Sequence, residues 1–184
     1  MPQAEKRKAV PLHLKLDIIG SVASGKPTLA RKISERYDVP YYEKDNIVWE
    51  RTPDGDKKRT TEKRDCYFAR IISGCDWIVE GSPRKCLKES FYYCDYIIVL
   101  DEGMVVRLTR VFRRWIRQRM GKERYNTKPT LTFLRYNVKW VLEFNKIKKS
   151  LLDELSLYKE KVKIFRHSDE AWEYILHTYP DDKY

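Results

Sequence analysis

One segment determines the architecture that the sequence predicts, Gly20-Ser21-Val22-Ala23-Ser24-Gly25-Lys26-Pro27-Thr28. Its first seven residues match the pattern G-x-x-x-x-G-K, which is typical of loops that bind phosphate groups. The apolar residues 12–20 before it predict a β-strand, and residues 28–37 after it have the spacing of an amphipathic helix. A position between a strand and a helix is the context that this motif requires.

Each part of the segment has a physical role in holding phosphate. Successive backbone N–H groups form a nest for the anion, glycines let the backbone approach it, and the helix N-terminus adds partial positive charge. Lys26 is expected to bridge the β- and γ-phosphates of a nucleoside triphosphate and to act in catalysis. The alternative is a glycine-containing turn with an incidental lysine. The predicted nucleotide-binding residues of the loop are Gly20, Ser21, Ala23, Ser24, Gly25, Lys26, Pro27 and Thr28.

Pro27 departs from the motif, because Ser or Thr normally follows the lysine and its hydroxyl binds Mg²⁺. Proline has neither a hydroxyl nor an N–H group, although it is sterically acceptable in a first helical turn. Thr28 carries a hydroxyl but is displaced by one residue from the metal-binding position. The sequence therefore predicts nucleotide binding with catalysis that is weakened or lost.

The rest of the chain alternates predicted strands and helices. Further strands are predicted at 39–42, 76–81, 96–101 and 162–165. Helices are predicted at 61–73, 103–120, 130–156 and 169–177, with a polar loop at 52–59 and Ser168 as an N-cap. This alternation predicts an α/β fold with a five-stranded parallel sheet and helices on both faces.

Ligands of such folds bind at the carboxyl ends of the strands. Four residues with suitable chemistry are expected at these ends, Gly20, Glu80, Asp101 and Arg166, with Arg166 near the nucleotide. Asp17 is different, because its charge falls inside a strand that should be covered on both faces.

The composition indicates a basic globular protein. The chain has 184 residues, a hydrophobic fraction of 42% and a formal net charge of +11. This charge favours a nucleotide or a nucleic acid as partner, although a basic, soluble surface explains it equally well. The sequence contains no zinc-binding motif, because it has only three histidines and its four cysteines lack C-x-x-C spacing. We expect reduced, mostly buried thiols, a cytoplasmic location, no membrane span and a disordered basic tail at 1–11.

Residues 103–120 separate apolar from arginine side chains on a predicted helix. The apolar face carries Met104, Leu108, Val111, Phe112 and Trp115, and the opposite face carries Arg107, Arg110, Arg113, Arg114 and Arg117. Arginine pairs bidentately with phosphate, so Arg110 and Arg114 are candidates for stabilising a transferred phosphoryl group. A surface for the nucleic-acid backbone is the second interpretation, and a solvated face is the third.

The segments 20–28, 42–49, 77–84 and 95–101, followed by the arginine-rich helix, resemble the adenylate-kinase-like P-loop proteins. The similarity is greatest to the DNA topology modulation (FlaR-like) kinase proteins. It implies a three-layer P-loop kinase fold in one domain over 12–184, with an acceptor-binding region at 41–75 and a helical lid at 103–130. It also implies ATP and Mg²⁺ as cofactors and a small acceptor such as a nucleoside monophosphate.

The resemblance further implies roles for individual residues. Asp45 matches an acidic residue that faces the acceptor, Glu80 replaces an aspartate near the metal and the acceptor, and Arg84 matches an arginine that contacts phosphate. The expected metal ligands are Thr28, Glu80 and Asp101. Each of these three residues also has a simpler structural interpretation: Asp45 as a helix cap, Glu80 as the end of a strand, and Arg84 as a solvated turn residue.

Two alternatives stay open at this level. A nucleotide-binding regulatory or nucleic-acid-binding protein with little catalysis is the alternative to a kinase. The helix at 130–156 is apolar on two sides, which either burial in the core or a homodimer interface explains. Its two stripes are Leu131, Leu134, Val138, Val141 and Leu142, and Phe133, Trp140, Phe144, Ile147 and Leu151.

Overall fold

The computed structural model describes residues 13–52, 55–123 and 127–180. The tail predicted at 1–11 lies outside the described residues. The helices and strands, in chain order, are β1 (Lys15–Gly20), α1 (Lys26–Tyr37), β2 (Tyr41–Glu43), α2 (Lys44–Val48), β3 (Trp49–Thr52), β4 (Gly55–Lys58), α3 (Thr61–Ile72), β5 (Trp77–Gly81), α4 (Ser90–Tyr93), β6 (Tyr96–Leu100), α5 (Met104–Arg119), α6 (Leu131–Leu155), β7 (Val162–Phe165) and α7 (Ser168–Thr178).

Five parallel strands form the central sheet in the order β2-β5-β1-β6-β7. β1 lies in the middle, where Ile18 is in register with Glu80 of β5 on one side and Ile98 of β6 on the other. The predicted α/β fold with a five-stranded parallel sheet is therefore confirmed. The segments that follow β1, β5 and β6 leave the same edge of the sheet, because parallel strands share one direction.

Successive strand residues enter two separate cores on opposite faces of the sheet. Ile19 and Val79 pack in a cluster with residues of α3 and α6. Ile18 and Ile78 pack in a second cluster with residues of α1 and α7. Because helices cover both faces, the strands are almost continuously apolar, and this made them recognisable in the sequence.

Asp17 is a fully buried charge in the middle of β1. Its carboxylate accepts hydrogen bonds from Lys44 Nζ at 2.6 Å and from Ser90 Oγ at 2.5 Å. Both partners are also buried. A buried carboxylate is tolerated when it is paired and hydrogen-bonded, so Asp17 links β1 to the first residues of α2 and α4.

The prediction of a polar loop at 52–59 is wrong, because β3 and β4 form an antiparallel hairpin there. All four residues of β4 are exposed, so this strand lacks the apolar alternation that marks a strand in a sequence. The predicted N-cap at Ser168 is wrong by one residue. α7 begins at Ser168, and its N-cap is His167, whose N–H donates to the Glu170 carboxylate.

The clean separation of faces predicted for α5 is also wrong. Arg107 is only 2% exposed, whereas Phe112 is 46% exposed. The guanidinium of Arg107 donates a hydrogen bond to Asn145 and lies over the ring of Phe144, both on α6. Because α6 packs along this side of α5, it buries an arginine that the helical wheel places towards solvent.

α6 buries one stripe that combines residues of both predicted ones. Its buried residues are Leu134, Asn137, Val141, Phe144, Leu151 and Leu155. Its exposed large apolar residues are Leu131, Tyr136, Trp140, Leu142 and Ile147. The core therefore accounts for part of the apolar surface of this helix, and a homodimer interface stays a prediction.

None of the described helices combines the length and apolar character that a membrane crossing requires. The four cysteines are free thiols. Cys94 is buried, but Cys66, Cys75 and Cys86 are exposed, so the prediction of mostly buried thiols is wrong. The three exposed cysteines lie in or next to surface elements between β4 and α4, whose polar sequence gives no sign of burial.

Candidate functional site

The loop between β1 and α1 has the backbone of an anion nest. Ala23 and Gly25 adopt left-handed φ angles of 61° and 101°, and α1 begins directly afterwards at Lys26. Such a loop presents successive N–H groups to an anion, and the unpaired N–H groups of the first helical turn continue the series. Gly20 is constrained by space, because a Cβ there would lie 2.7 Å from the carbonyl oxygen of Leu100.

Polar side chains in this loop fit a polyphosphate. The hydroxyls of Ser21 and Ser24 are buried and have no hydrogen-bond partner among the described residues. Lys26 is 5% exposed, and its Nζ donates to the carbonyl oxygen of Ser21 at 2.6 Å. Because buried polar groups normally have partners, these hydroxyls are consistent with a loop that phosphate oxygens complete.

Pro27 and Thr28 are both exposed in the first turn of α1. The helix begins two residues earlier than predicted, because a first-turn N–H has no partner within the helix and proline costs little there. The position after the lysine offers no hydroxyl. The role of Thr28 as a metal ligand stays a prediction.

Glu80 lies at the end of β5 and interacts electrostatically with Lys26. Burial lowers the pKa of Lys26 to about 8, while the negative charges of Glu80 and Asp45 raise it. Burial also raises the pKa of Glu80 to about 7, against the lowering effect of Lys26. The charges of Glu43 and Asp45 raise the pKa of Glu80 further, whereas the charge of Lys44 lowers it.

The predicted acceptor residues lie beside this pair. Glu43, the last residue of β2, is in register with Glu80 on the neighbouring strand, and Asp45 follows it in α2. Arg84 donates a hydrogen bond to Asp45 at 2.5 Å, and its Nε is buried without a partner among the described residues. The structure therefore brings Asp45, Glu80 and Arg84 to the same edge of the sheet as Lys26.

Arg110 of α5 reaches the phosphate-binding loop. Its Nη1 donates to the carbonyl oxygen of Ala23 at 3.2 Å, and its Nη2 lies 3.0 Å from Glu102. Glu102 is buried and also contacts His167 Nδ1 at 3.2 Å. Burial alone would raise the pKa of Glu102, but hydrogen bonds from His167 and the Gly103 N–H, together with the Arg110 charge, lower it. Glu102 thus ties α5 to the segment before α7.

Arg114 lies one helical turn further along α5. Its Nη2 donates to Asn137 Oδ1 at 3.1 Å, and burial lowers its pKa. Its positive charge also lowers the pKa of Lys26, so the two cations lie within electrostatic range of each other. Asn137 is 5% exposed and donates to the carbonyl oxygen of Phe133, which fixes the acceptor that holds Arg114.

Asp101 and Arg166 line a cavity of about 540 Å³, bordered also by Glu102, Arg107 and Lys148. The Asp101 carboxylate forms an ion pair with Lys148 of α6. Across residues 13–52, 55–123 and 127–180, no three His, Cys, Asp or Glu side chains form a group that holds a metal ion. Asp101 as a metal ligand and Arg166 as a nucleotide contact therefore stay predictions.

No family model and no curated protein matches the sequence. Solved structures that are similar in fold include the following three. A shikimate kinase from Acinetobacter baumannii, in complex with shikimate, has a TM-score of 0.54 at 12% identity, over 95% of this chain and 99% of that chain. A shikimate kinase from Bacteroides thetaiotaomicron has a TM-score of 0.50 at 12% identity, over 90% and 97%. An uncharacterized protein from Eubacterium ventriosum ATCC 27560 has a TM-score of 0.51 at 13% identity, over 90% and 97%.

The chain has the P-loop kinase fold. At this level of identity the likeness concerns the fold alone, and the specific similarity to DNA topology modulation proteins stays a prediction. The sequence did not predict that Glu102, Asn137 and His167 contribute to the candidate site. Only the position of Glu102, directly after the predicted end of β6, was a signal for its role.

Proposed function

We propose that this protein binds ATP at residues 20–28 and transfers its γ-phosphoryl group to a hydroxyl group of a small acceptor. One observation carries the proposal: the loop combines left-handed Ala23 and Gly25, unpartnered Ser21 and Ser24 hydroxyls, and a buried Lys26 at a helix N-terminus. Each of these features serves phosphate binding.

Phosphoryl transfer depends mainly on positioning and on stabilising negative charge. Lys26 binds the β- and γ-phosphates, and Arg114, which interacts electrostatically with Lys26, adds positive charge near the transferred group. Asn137 orients the Arg114 guanidinium, and Glu102 orients that of Arg110. In this proposal α5 belongs to a lid over 103–130.

Mg²⁺ bound with ATP supplies further neutralisation of phosphate charge. The donor set fits such an ion in part, because Glu80 offers a buried carboxylate in β5 but Pro27 offers no hydroxyl. We propose Glu80 and Thr28 as its protein ligands, together with Asp101, which is paired with Lys148 in the structure. A low turnover with Mg²⁺ is the expected consequence of Pro27.

The acceptor is proposed to bind in the region 41–75 together with the segment after β5, near Asp45, Glu80 and Arg84. The resemblance suggests a nucleoside monophosphate, for which Arg84 would be the phosphate contact. One of the similar structures is a shikimate kinase in complex with shikimate, which supports a small-molecule acceptor more generally.

The kinase proposal accounts for α5 better than a nucleic-acid surface does. Arg107 is buried against α6, Arg110 contacts the phosphate-binding loop, and Arg114 is held by Asn137. A nucleic-acid surface would present all three guanidinium groups to solvent, where they can neutralise phosphates along a strand, but of the three only Arg110 is exposed.

Nucleotide binding is tested by titrating ATP and ADP into the protein, Lys26→Ala and Lys149→Ala. Lys149 is an exposed lysine of α6 and serves as the matched control. We expect Lys26→Ala to weaken binding roughly tenfold or more, because it removes a phosphate contact, while Lys149→Ala leaves affinity unchanged. ADP formation in a screen of small acceptors with Mg²⁺ tests the transfer. Equal affinities for the protein and Lys26→Ala would refute the site.

A further inference from the structure

The cavity of about 540 Å³ lies where the carboxyl ends of β6 and β7 meet the start of α5, and α6 forms a further wall. We infer that this cavity is a second binding site, which takes an organic phosphate monoester while the phosphate-binding loop holds its own ligand. Its volume falls within the range of small-molecule sites, roughly 300–1,000 Å³. The inference stands independently of the proposed kinase activity.

Arg107 is a buried cation in the wall of this cavity, and it is not fully paired. The residue is 2% exposed, and its Nη2 donates a hydrogen bond to Asn145. Its Nε and Nη1 have no hydrogen-bond partner among the described residues. Buried donors nearly always have a partner, and an unpaired donor on a charged group is especially costly. The two nitrogen atoms are therefore consistent with a ligand that supplies acceptor oxygens.

Two carboxylates act on Arg107 electrostatically, but both are paired with other cations. Burial lowers the pKa of Arg107, and the charges of Asp101 and Glu102 raise it. The Asp101 carboxylate pairs with Lys148, and that of Glu102 pairs with Arg110. An anion that enters the cavity therefore meets carboxylates whose charges are already offset, together with a guanidinium that lacks a carboxylate of its own.

A second guanidinium on the cavity wall indicates the charge of the ligand. The Arg166 side chain is exposed and has no hydrogen bond or ion pair within residues 13–52, 55–123 and 127–180. Two such arginines match a phosphate monoester, which carries about −1.5 to −2 charges at pH 7, better than they match a carboxylate or a sulfate ester. Met104 and Ile164 are 39% and 51% exposed and give the wall an apolar part, which fits the organic group of the ester.

The cavity adjoins the phosphate-binding loop but uses a different arginine. Its lining comes from β6, α5, α6, β7 and the segments that follow the two strands, and does not include residues 20–28. Arg107 contacts α6, whereas Arg110 donates to the carbonyl oxygen of Ala23 in the loop. Glu102 lies between the two places, because it borders the cavity and pairs with Arg110. A ligand on the loop therefore leaves Arg107 unpaired.

The test is a calorimetric titration with phenyl phosphate and with phenyl sulfate, which has nearly the same shape and one negative charge fewer. Each ester is added to the protein alone and to the protein saturated with a non-hydrolysable ATP analogue. We expect phenyl phosphate to bind in both cases, roughly tenfold or more tightly than phenyl sulfate. Displacement of phenyl phosphate by the ATP analogue, equal affinities for the two esters, or no binding of either overturns the inference.

Variants locate the binding without any nucleotide. Arg107→Gln and Arg166→Gln should each weaken phenyl phosphate binding roughly tenfold or more, because each removes a charged donor. Arg166 is exposed, so its replacement tests the site even if urea denaturation shows that Arg107→Gln does not fold. Lys26→Ala in the loop and Arg113→Gln on the exposed side of α5 are the controls and should leave this affinity unchanged. Lost binding in Lys26→Ala with normal binding in Arg166→Gln would place the ester on the loop and refute the second site.

Discussion

Glu80 and Lys26 are a buried carboxylate and a buried ammonium whose pKa values lie close together, at about 7 and about 8. Burial moves the two values towards each other, because it disfavours both charged forms, and their mutual attraction opposes this shift. The protonation of Lys26 therefore changes near physiological pH and depends on Glu80.

This pairing predicts how ATP affinity depends on pH. We expect affinity in the absence of Mg²⁺ to fall as pH rises above about 8, by up to about tenfold per pH unit, since neutral Lys26 attracts phosphate less. Glu80→Gln removes the charge that raises the Lys26 pKa, so the decline should begin at a lower pH. Calorimetric titration across this range checks the shift, with Glu50→Gln as control. Identical pH profiles for Glu80→Gln and the unaltered protein would contradict the interaction.

The buried pair of Asp17 and Lys44 predicts a large effect on stability. Asp17→Asn keeps a hydrogen-bonding side chain beside Ser90 but leaves the Lys44 ammonium without its counter-charge in the core. We expect the free energy of unfolding to fall by about 3–5 kcal/mol, measured by urea denaturation.

Two further variants control this measurement. Lys44→Met combined with Asp17→Asn should recover much of the loss, because the unpaired buried cation is then absent. Asp56→Asn breaks the exposed pair with Arg51 and should cost at most about 1 kcal/mol. If Asp17→Asn and Asp56→Asn lowered the free energy of unfolding equally, burial of the Asp17–Lys44 pair would make no difference to its contribution to stability.

Pro27→Ser should restore what the loop lacks for Mg²⁺. The new side chain offers a hydroxyl at the position that ordinarily binds the metal, and its backbone offers an N–H to phosphate. We expect turnover with Mg²⁺ to rise roughly tenfold or more, and nucleotide affinity to become more dependent on Mg²⁺. Pro27→Ala restores the N–H alone and is the matched control. A gain of the same size in both variants would assign the effect to the backbone.

The parts that the sequence predicted are those with local signals. The phosphate-binding loop is one continuous segment, and the strands of the sheet are apolar runs that burial on both faces requires. The missed features pair residues far apart in the chain, such as Asp17 with Lys44 and Glu102 with His167. No periodicity marks such pairs, because they form only when the sheet order brings their elements together.

The last prediction concerns Arg114 and its neighbour Arg113 on α5. Arg114 is half-buried and held by Asn137 near Lys26, whereas Arg113 is exposed. If α5 is a lid, Arg114→Ala should lower turnover roughly tenfold or more by removing stabilisation of transferred charge, and Arg113→Ala should not. If α5 contacts nucleic acid, Arg113→Ala should instead reduce the slope of log affinity against log salt by about one unit. Steady-state kinetics and DNA titrations at several salt concentrations separate the two, and normal turnover in Arg114→Ala would rule out the lid.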